Sequence, residues 1–312
     1  MSGELAAAVL VVAVLGVLAL AGFTARWVVG HPERIRAGLA WVAERPAVVR
    51  VRSRYPRQWR FLGRRFEPGE AAGLTLTLGL TMVLALGVGF GQLLDSVVES
   101  NGVTVADRPM LGFFAAHRDT WWTTAATVIT DVGSPVGTAV TGVAVGVVLA
   151  WLRRSWLPLL IIILGGAGIA VINTAVKSLV SRTRPPLITA VLGAHGYSFP
   201  SGHTTGTTVV WLLSAWMIGH WMISRRIARV TLWAGAILMV GAVGVTRVYL
   251  GVHFPSDVMA GWALGAAWTV IIALVVKVWE QSSLTFLSSV RSKRPRPGKG
   301  VGGDAHSVRN AE

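Results

Sequence analysis

The chain has 312 residues, of which 53% are hydrophobic and 14% charged, with a mean hydropathy of +0.60. Soluble domains carry about 25% charged residues, so too little polar surface is available to cover a water-facing fold, and the same figures exclude a disordered chain. Cysteine is absent, which excludes disulfides, thiolate nucleophiles, iron–sulfur clusters and cysteine-bound zinc; the net charge of +15 suggests nucleic acid only if the cations form one patch, and they are spread along the chain.

A bilayer core of about 30 Å takes roughly 20 apolar residues as a helix. Seven segments meet that requirement: residues 5–23, 72–94, 134–151, 156–176, 204–223, 228–245 and 258–278. The first (domain 1–25) predicts a retained anchor, because Ala19-Leu20-Ala21 resembles a signal cleavage site but the leading segment carries Glu4 and no basic residue. Residues 26–71 hold eleven Arg and four Glu and read as a cytoplasmic linker attracted to anionic lipid, not as a nucleic-acid site. The Trp- and Thr-rich stretch 120–130 predicts an interfacial helix, followed by a span kinked where Gly133 and Pro135 interrupt it. Glycines four apart, at Gly87/Gly91, Gly142/Gly146 and Gly261/Gly265, predict close helix approach. The core is expected over 72–279 and a disordered basic cytoplasmic tail over 280–312.

Counting Lys and Arg on alternate sides of the seven spans gives 23 on one side and six on the other. The richer side is expected to be cytoplasmic, which places the N-terminus outside and the C-terminus inside. The six outer cations are Arg108, Arg118, Lys177, Arg182, Arg184 and Arg247.

Three of them, Lys177, Arg184 and Arg247, fall at the same membrane face as His203, His253 and Asp257, although they come from separate loops. Lys177 and Arg184 are seven residues apart, two helical turns, and are expected on one side of a helix end before Pro185. They read either as a point charge and a planar fork for phosphate or as cations reaching to the interface. In Pro200-Ser201-Gly202-His203, Ser201 is a candidate N-cap, and the free N–H groups of the first turn beside Gly202 suit an anion; a plain serine cap is the alternative. In Thr246-Arg247 and His253-Phe254-Pro255-Ser256-Asp257, Pro255 discourages continuous helix, so Asp257 is expected in the opening turn of the last helix, reaching back to the His253 ring. A carboxylate on one ring nitrogen fixes the tautomer and leaves the other free to attack phosphorus. Two histidines and a carboxylate also suit a metal, but the neighbouring cations favour an anion.

These three elements, Lys177-x6-Arg184-Pro185, Pro200-Ser201-Gly202-His203 and Thr246-Arg247-x5-His253-x3-Asp257, resemble the signature of the type 2 phosphatidic acid phosphatase and vanadium haloperoxidase superfamily. Thr246 is the one departure, standing where the family usually has Ser. The resemblance implies an all-α polytopic membrane helix bundle, with a six-helix phosphatase core plus one extra N-terminal transmembrane helix. It implies His253 as a nucleophile forming a phosphohistidine, Asp257 as its orienting group and His203 as general acid. Lys177, Arg184, Arg247 and the Ser201-Gly202 backbone would hold the phosphoryl oxygens. It implies no metal and no cofactor. Arg182 reads as a further phosphate contact or a surface cation, His195 and Tyr197 as substrate-side or plain loop residues, and Asp131 as a functional carboxylate or an interfacial cap. The expected activity is hydrolysis, at the outer face of the cytoplasmic membrane, of a lipid phosphate or diphosphate: polyprenyl diphosphate, phosphatidic acid or phosphatidylglycerol phosphate. Lipid phosphotransfer at the same site and a non-catalytic lipid-binding or transport role are the alternatives. Haloperoxidase chemistry suits a membrane-embedded lipid site less well.

Overall fold

The computed structural model describes residues 71–186, 190–191, 193 and 195–292, together with 44–45, 49 and 53–55. The predicted first span, most of the Arg-rich linker and the end of the tail lie outside the described residues. From residue 71 onward the described chain is helical, with α1 at Ala71–Glu99, a short 3-10 turn at Gly102–Ala106, α2 at Asp107–Ala116 and α3 at Thr120–Val132. There follow α4 at Pro135–Arg153, α5 at Leu157–Val180, α6 at Gly202–Trp221, α7 at Arg226–Tyr249 and α8 at Pro255–Ser292. The chain divides after Leu274 into two compact units. The first holds the bundle, and the second holds the C-terminal end of α8, where helix continues to Ser292 into the segment expected to be tail.

The expected interfacial helix is α3, but the span after it is not kinked. It is a separate helix, because Ser134 starts α4 afresh: its side chain accepts from Gly137 N at 3.0 Å and Pro135 occupies the first turn, where a missing N–H costs nothing. Asp119 caps α3 in the same way, accepting from Trp122 N at 2.8 Å. The turn between α7 and α8 depends on Gly251, whose φ of 72° is left-handed.

Among the described residues, five helices are long and apolar enough to cross a bilayer: Thr75–Glu99 within α1, Pro135–Arg153, Leu157–Val180, Arg226–Tyr249 and Pro255–Glu280 within α8. The described chain is thus an all-α polytopic membrane bundle. On α1, Leu76, Leu78, Leu80, Met82, Leu84 and Val88 are exposed, the apolar surface that lipid would cover. The predicted span over 204–223 is helical, as α6, but falls outside the five. Its first turns bury Thr204, Thr205, Thr207 and Thr208, and these hydroxyls lower its hydropathy. They are not left unsatisfied: Thr205 Oγ1 donates to Ser201 O at 2.8 Å and Thr208 Oγ1 to Thr204 O at 2.7 Å. α6 is enclosed by α5, α4 and α7.

Two of the three glycine pairs permit close approach. A methyl group on Gly265 would lie 2.7 Å from Thr208 Cβ, and one on Gly142 would lie 2.9 Å from Ile162 Cγ2. Gly87 and Gly91 have no such neighbour, so that pair is not a packing seam. Trp262 and Trp268 of α8 use their polar edges inside the bundle, donating from Nε1 to Val240 O at 3.1 Å and Gly165 O at 3.0 Å.

Candidate active site

The C-terminal ends of α5 and α7 and the N-terminal ends of α6 and α8 meet at one end of the bundle, and this alternation gathers the three sequence elements. Lys177 lies on the last turns of α5, and Arg184 reaches the same place by a different route from the one expected. The helix stops at Val180, with Ser181 in the left-handed region at φ 49°, so Arg184 sits on an extended loop and not two turns up the same helix. Both cations are then oriented by backbone carbonyls that no sequence pattern marks. Lys177 Nζ donates to Tyr197 O at 2.7 Å. Arg184 donates from Nε to Gly196 O at 3.0 Å, from Nη2 to His195 O at 3.1 Å and from Nη1 to Val252 O at 2.8 Å. His195 and Tyr197 therefore enter the site through their main chains.

Ser201 stands at the N-cap position of α6, but its side chain does not cap the helix. It accepts instead from Thr204 Oγ1 at 3.0 Å, and its N–H donates to Asp257 O at 3.0 Å. No side chain among the described residues takes the N–H groups that open the helix at Gly202 and His203, leaving them as donors beside the cavity.

His253 is 1% exposed and Asp257 is fully buried. As expected, Asp257 sits in the first turn of α8 and reaches back, its Oδ2 lying 3.3 Å from His253 Nδ1 and accepting from Phe254 N at 2.9 Å. The other ring nitrogen, Nε2, lies 3.2 Å from Arg184 Nη1. Guanidinium can only donate, so Nε2 carries the lone pair and Nδ1 the proton shared with Asp257. Burial holds the His253 ring down at about 4, with the Asp257 contact opposing and the Arg184 and Arg247 charges adding to the effect. Burial likewise lowers the Arg184 guanidinium from its ordinary value.

Arg247, 5% exposed, donates from Nη1 to the buried Thr130 Oγ1 of α3 at 2.9 Å, while its Nε has no acceptor among the described residues. Lys177, Arg184, Gly202, His203, Arg247 and His253 all line one cavity of about 620 Å³. Away from them the cavity wall becomes apolar, running along Val143 of α4 and Ile162, Ile163 and Ala170 of α5. No carboxylate among the described residues lines it. Three cations around a neutral, tautomer-fixed imidazole suit a tetrahedral oxyanion attached to an apolar chain. Among the described residues, no three His, Cys, Asp or Glu side chains are grouped to hold a metal.

Arg182 does not line this cavity. It is neither a surface cation nor a phosphate contact, for its guanidinium is taken by Asp257 Oδ1 at 2.6 Å, Asp107 Oδ2 at 2.7 Å and Ser256 Oγ at 2.8 Å. Arg118 donates from Nε to Tyr249 O at 2.8 Å, at the C-terminal end of α7, and Arg108 is exposed. The Asp131 side chain is exposed; its backbone carbonyl, not its carboxylate, closes the turn by accepting from Ser134 N at 3.1 Å. Sequence reasoning missed Asp107, Thr130, Ser256 and Asn173. Asn173, one turn before Lys177 on the cavity wall, had a legible signal, since an amide four residues from a lysine shares its helix face.

The model of the PAP2 superfamily matches residues 154–281, which span all three elements. Phosphatidylglycerophosphatase B of Bacillus subtilis (strain 168) is 30% identical over 178 residues, 56% of this chain and 86% of that protein. Decaprenylphosphoryl-5-phosphoribose phosphatase of Mycobacterium tuberculosis (strain ATCC 25618 / H37Rv) is 37% identical over 120 residues, 36% of this chain and 57% of that one. Among solved structures, that of a transmembrane PAP2-type phosphatidylglycerolphosphate phosphatase from Bacillus subtilis matches with a TM-score of 0.57 at 27% identity, covering 61% of this chain and 94% of that chain. With the motifs in one cavity and a relative of this identity matched over most of its length, the chain belongs to the PAP2 superfamily, in its membrane lipid-phosphatase branch.

Proposed function

We propose that the protein hydrolyses a lipid phosphate or diphosphate through a phosphohistidine on His253. The observation that carries this reading is the single cavity joining three cations and the His203 and His253 rings to an apolar wall between α4 and α5, which fits a phosphorylated headgroup on a hydrocarbon tail. His253 Nε2 attacks phosphorus as the bond to the lipid oxygen breaks, and Nδ1 keeps its proton against Asp257. His203 protonates the departing oxygen. Lys177, Arg184, Arg247 and the N–H groups at the Ser201-Gly202 start of α6 hold the phosphoryl oxygens as charge spreads over them. Water then attacks phosphorus, its proton passing back to His203, the N–P bond breaks, and inorganic phosphate leaves.

Polyprenyl diphosphate, phosphatidic acid and phosphatidylglycerol phosphate are the substrates to compare, and the Bacillus subtilis relative gives the last of these added weight. The site faces outward in this reading, with the N-terminus out, the C-terminus in, the anchor over 1–25, the linker over 26–71 and the tail over 280–312. α6 crosses with the five apolar helices as the sixth member of the core. The test is phosphate release from the purified protein against those three lipids in the presence of a chelator. Release that persists supports the reading, whereas activity lost to the chelator and restored by zinc or magnesium overturns it. A reporter inserted at residue 193 that reads cytoplasmic overturns the outward placement.

A further inference from the structure

Behind the His253 ring, on the side away from the cavity, lies a second set of charges that the proposed chemistry does not use directly. Asp107, the first residue of α2, is 2% exposed. Its Oδ1 accepts from Ser256 N at 3.0 Å, and its Oδ2 accepts from Ser256 Oγ at 2.6 Å and Arg182 Nη2 at 2.7 Å. Arg182 Nη1 in turn donates to Asp257 Oδ1 at 2.6 Å, leaving Asp257 Oδ2 to face His253 Nδ1. The guanidinium lies over the Phe254 ring, 4.3 Å from its centroid, which fixes its plane. One planar cation thus bridges two buried carboxylates, and every oxygen of both is engaged.

Stability alone does not account for such an arrangement. Burying three charges costs more than burying apolar groups of the same volume, and a pair would be neutral without Asp107. The extra carboxylate makes the set net negative. That sign matters when Nε2 bonds to phosphorus, because the ring retains its Nδ1 proton and becomes cationic.

We propose that Asp107 and Arg182 are positioning residues for the nucleophile: together they lock Asp257 against His253 Nδ1 and supply the negative charge against which the phosphohistidine forms. This rests on His253 being the nucleophile. Facing the ring from other elements are Arg184 on the loop after α5, Arg247 on α7, Asp257 on α8 and His203 on α6. Of the two positioning residues, Asp107 is an anion, favouring the charged ring, and Arg182 a cation, disfavouring it.

The experiment uses full-length enzyme carrying Asp107→Asn, which keeps the shape, and Arg182→Lys, which keeps the charge but cannot bridge both carboxylates. Asp107→Asn is expected to lower kcat about tenfold, the equivalent of one pKa unit of ring basicity, with KM unchanged. Its acid limb of kcat/KM moves to lower pH. Arg182→Gln, where it folds, moves that limb to higher pH, and the double variant Asp107→Asn/Arg182→Lys costs no more than the worse single variant, because the residues act as one unit. Active sites are counted by trapped phosphoenzyme, so loss of folded protein alone leaves kcat per site and the limb unchanged. Wild-type kcat and limb in Asp107→Asn, with His253→Ala inactive, would overturn this inference and leave the nucleophile intact. Turnover in His253→Ala would remove the nucleophile itself.

Discussion

The two sides of the His253 ring are built on opposite principles. On the cavity side Lys177, Arg184 and Arg247 converge, and among the described residues no carboxylate lines the cavity and the buried Arg247 Nε has no acceptor. On the far side one guanidinium, Arg182, is shared between Asp107 and Asp257 at 2.7 and 2.6 Å. Donors outnumber acceptors in front and are matched to them behind. A surface whose donors and acceptors satisfy one another holds a shape, whereas one left with excess donors is completed by an anion. The imidazole stands at the boundary, with its proton directed to the anionic side and its lone pair to the cationic side.

The largest expected effect falls on the ring at that boundary. His253→Ala should abolish turnover of every substrate and the trapped phosphoenzyme with it, since no N–P bond can form whatever group departs. Next is His203→Ala, whose cost depends on the leaving group. A general acid contributes about 10² to 10⁴-fold, most where the departing oxygen is poorly stabilised. Phosphatidic acid expels an alkoxide, while a polyprenyl diphosphate expels a phosphate monoester and p-nitrophenyl phosphate a stabilised phenolate. The kcat/KM ratio of variant to wild type should fall furthest for phosphatidic acid. Equal losses across the three would make His203 a phosphate ligand only.

Removing one cation from the excess side should cost less. Hydrogen bonds to charged groups contribute about 1.5–3 kcal/mol, so Arg247→Gln should lower kcat/KM about tenfold to a hundredfold and weaken vanadate inhibition in parallel. Vanadate inhibition that is unaffected would mean that Arg247 does not touch the phosphoryl group. The pH dependence tests the ring's surroundings. Because burial holds the ring at about 4, below the ordinary 6.5, its neutral form persists as the solution is acidified. The acid limb of kcat/KM that belongs to the enzyme should therefore lie near 4, separate from the second ionisation of a phosphate monoester at about 6. A limb near 6.5 with both monoester and diphosphate substrates would contradict the buried ring.

The cavity side was the legible one. Lys177, Arg184, His203, Arg247 and His253, with Asp257 behind the ring as the one far-side group read beside them, are side chains whose spacing and shared end of the bundle could be read from the sequence before any fold was known. What supports them was not legible, for three physical reasons. Tyr197, Gly196 and His195 act through carbonyls, which every residue has. Asp107 and Thr130 are separated from their partners by long stretches of chain and lie in segments with no motif of their own. Helix ends were the third difficulty: periodicity carried α5 through to Arg184, but the left-handed Ser181 ends it at Val180. The span read over 204–223 is helical as α6, but it falls outside the five apolar helices because it carries threonines that it buries among α4, α5 and α7.

The smallest effect should come from a matched pair of deletions behind the functional groups, one on each side. Thr130 Oγ1 is the acceptor for Arg247 Nη1, and Thr130→Val removes it while keeping the volume. A single net hydrogen bond contributes about 1 kcal/mol, so kcat/KM should fall about fivefold. The loss should appear as weaker vanadate binding and a higher KM, because Arg247 meets the phosphate less well oriented. Ser256→Ala removes a hydroxyl held by Asp107 and Arg182 on the opposite side. Its effect of similar size should appear in kcat, with vanadate affinity retained, because what it loosens is the Asp257 support of the ring and not the oxyanion cradle. If both variants changed the same kinetic constant, the cavity side and the far side would be one structural unit, and the division at the His253 ring would have no functional meaning.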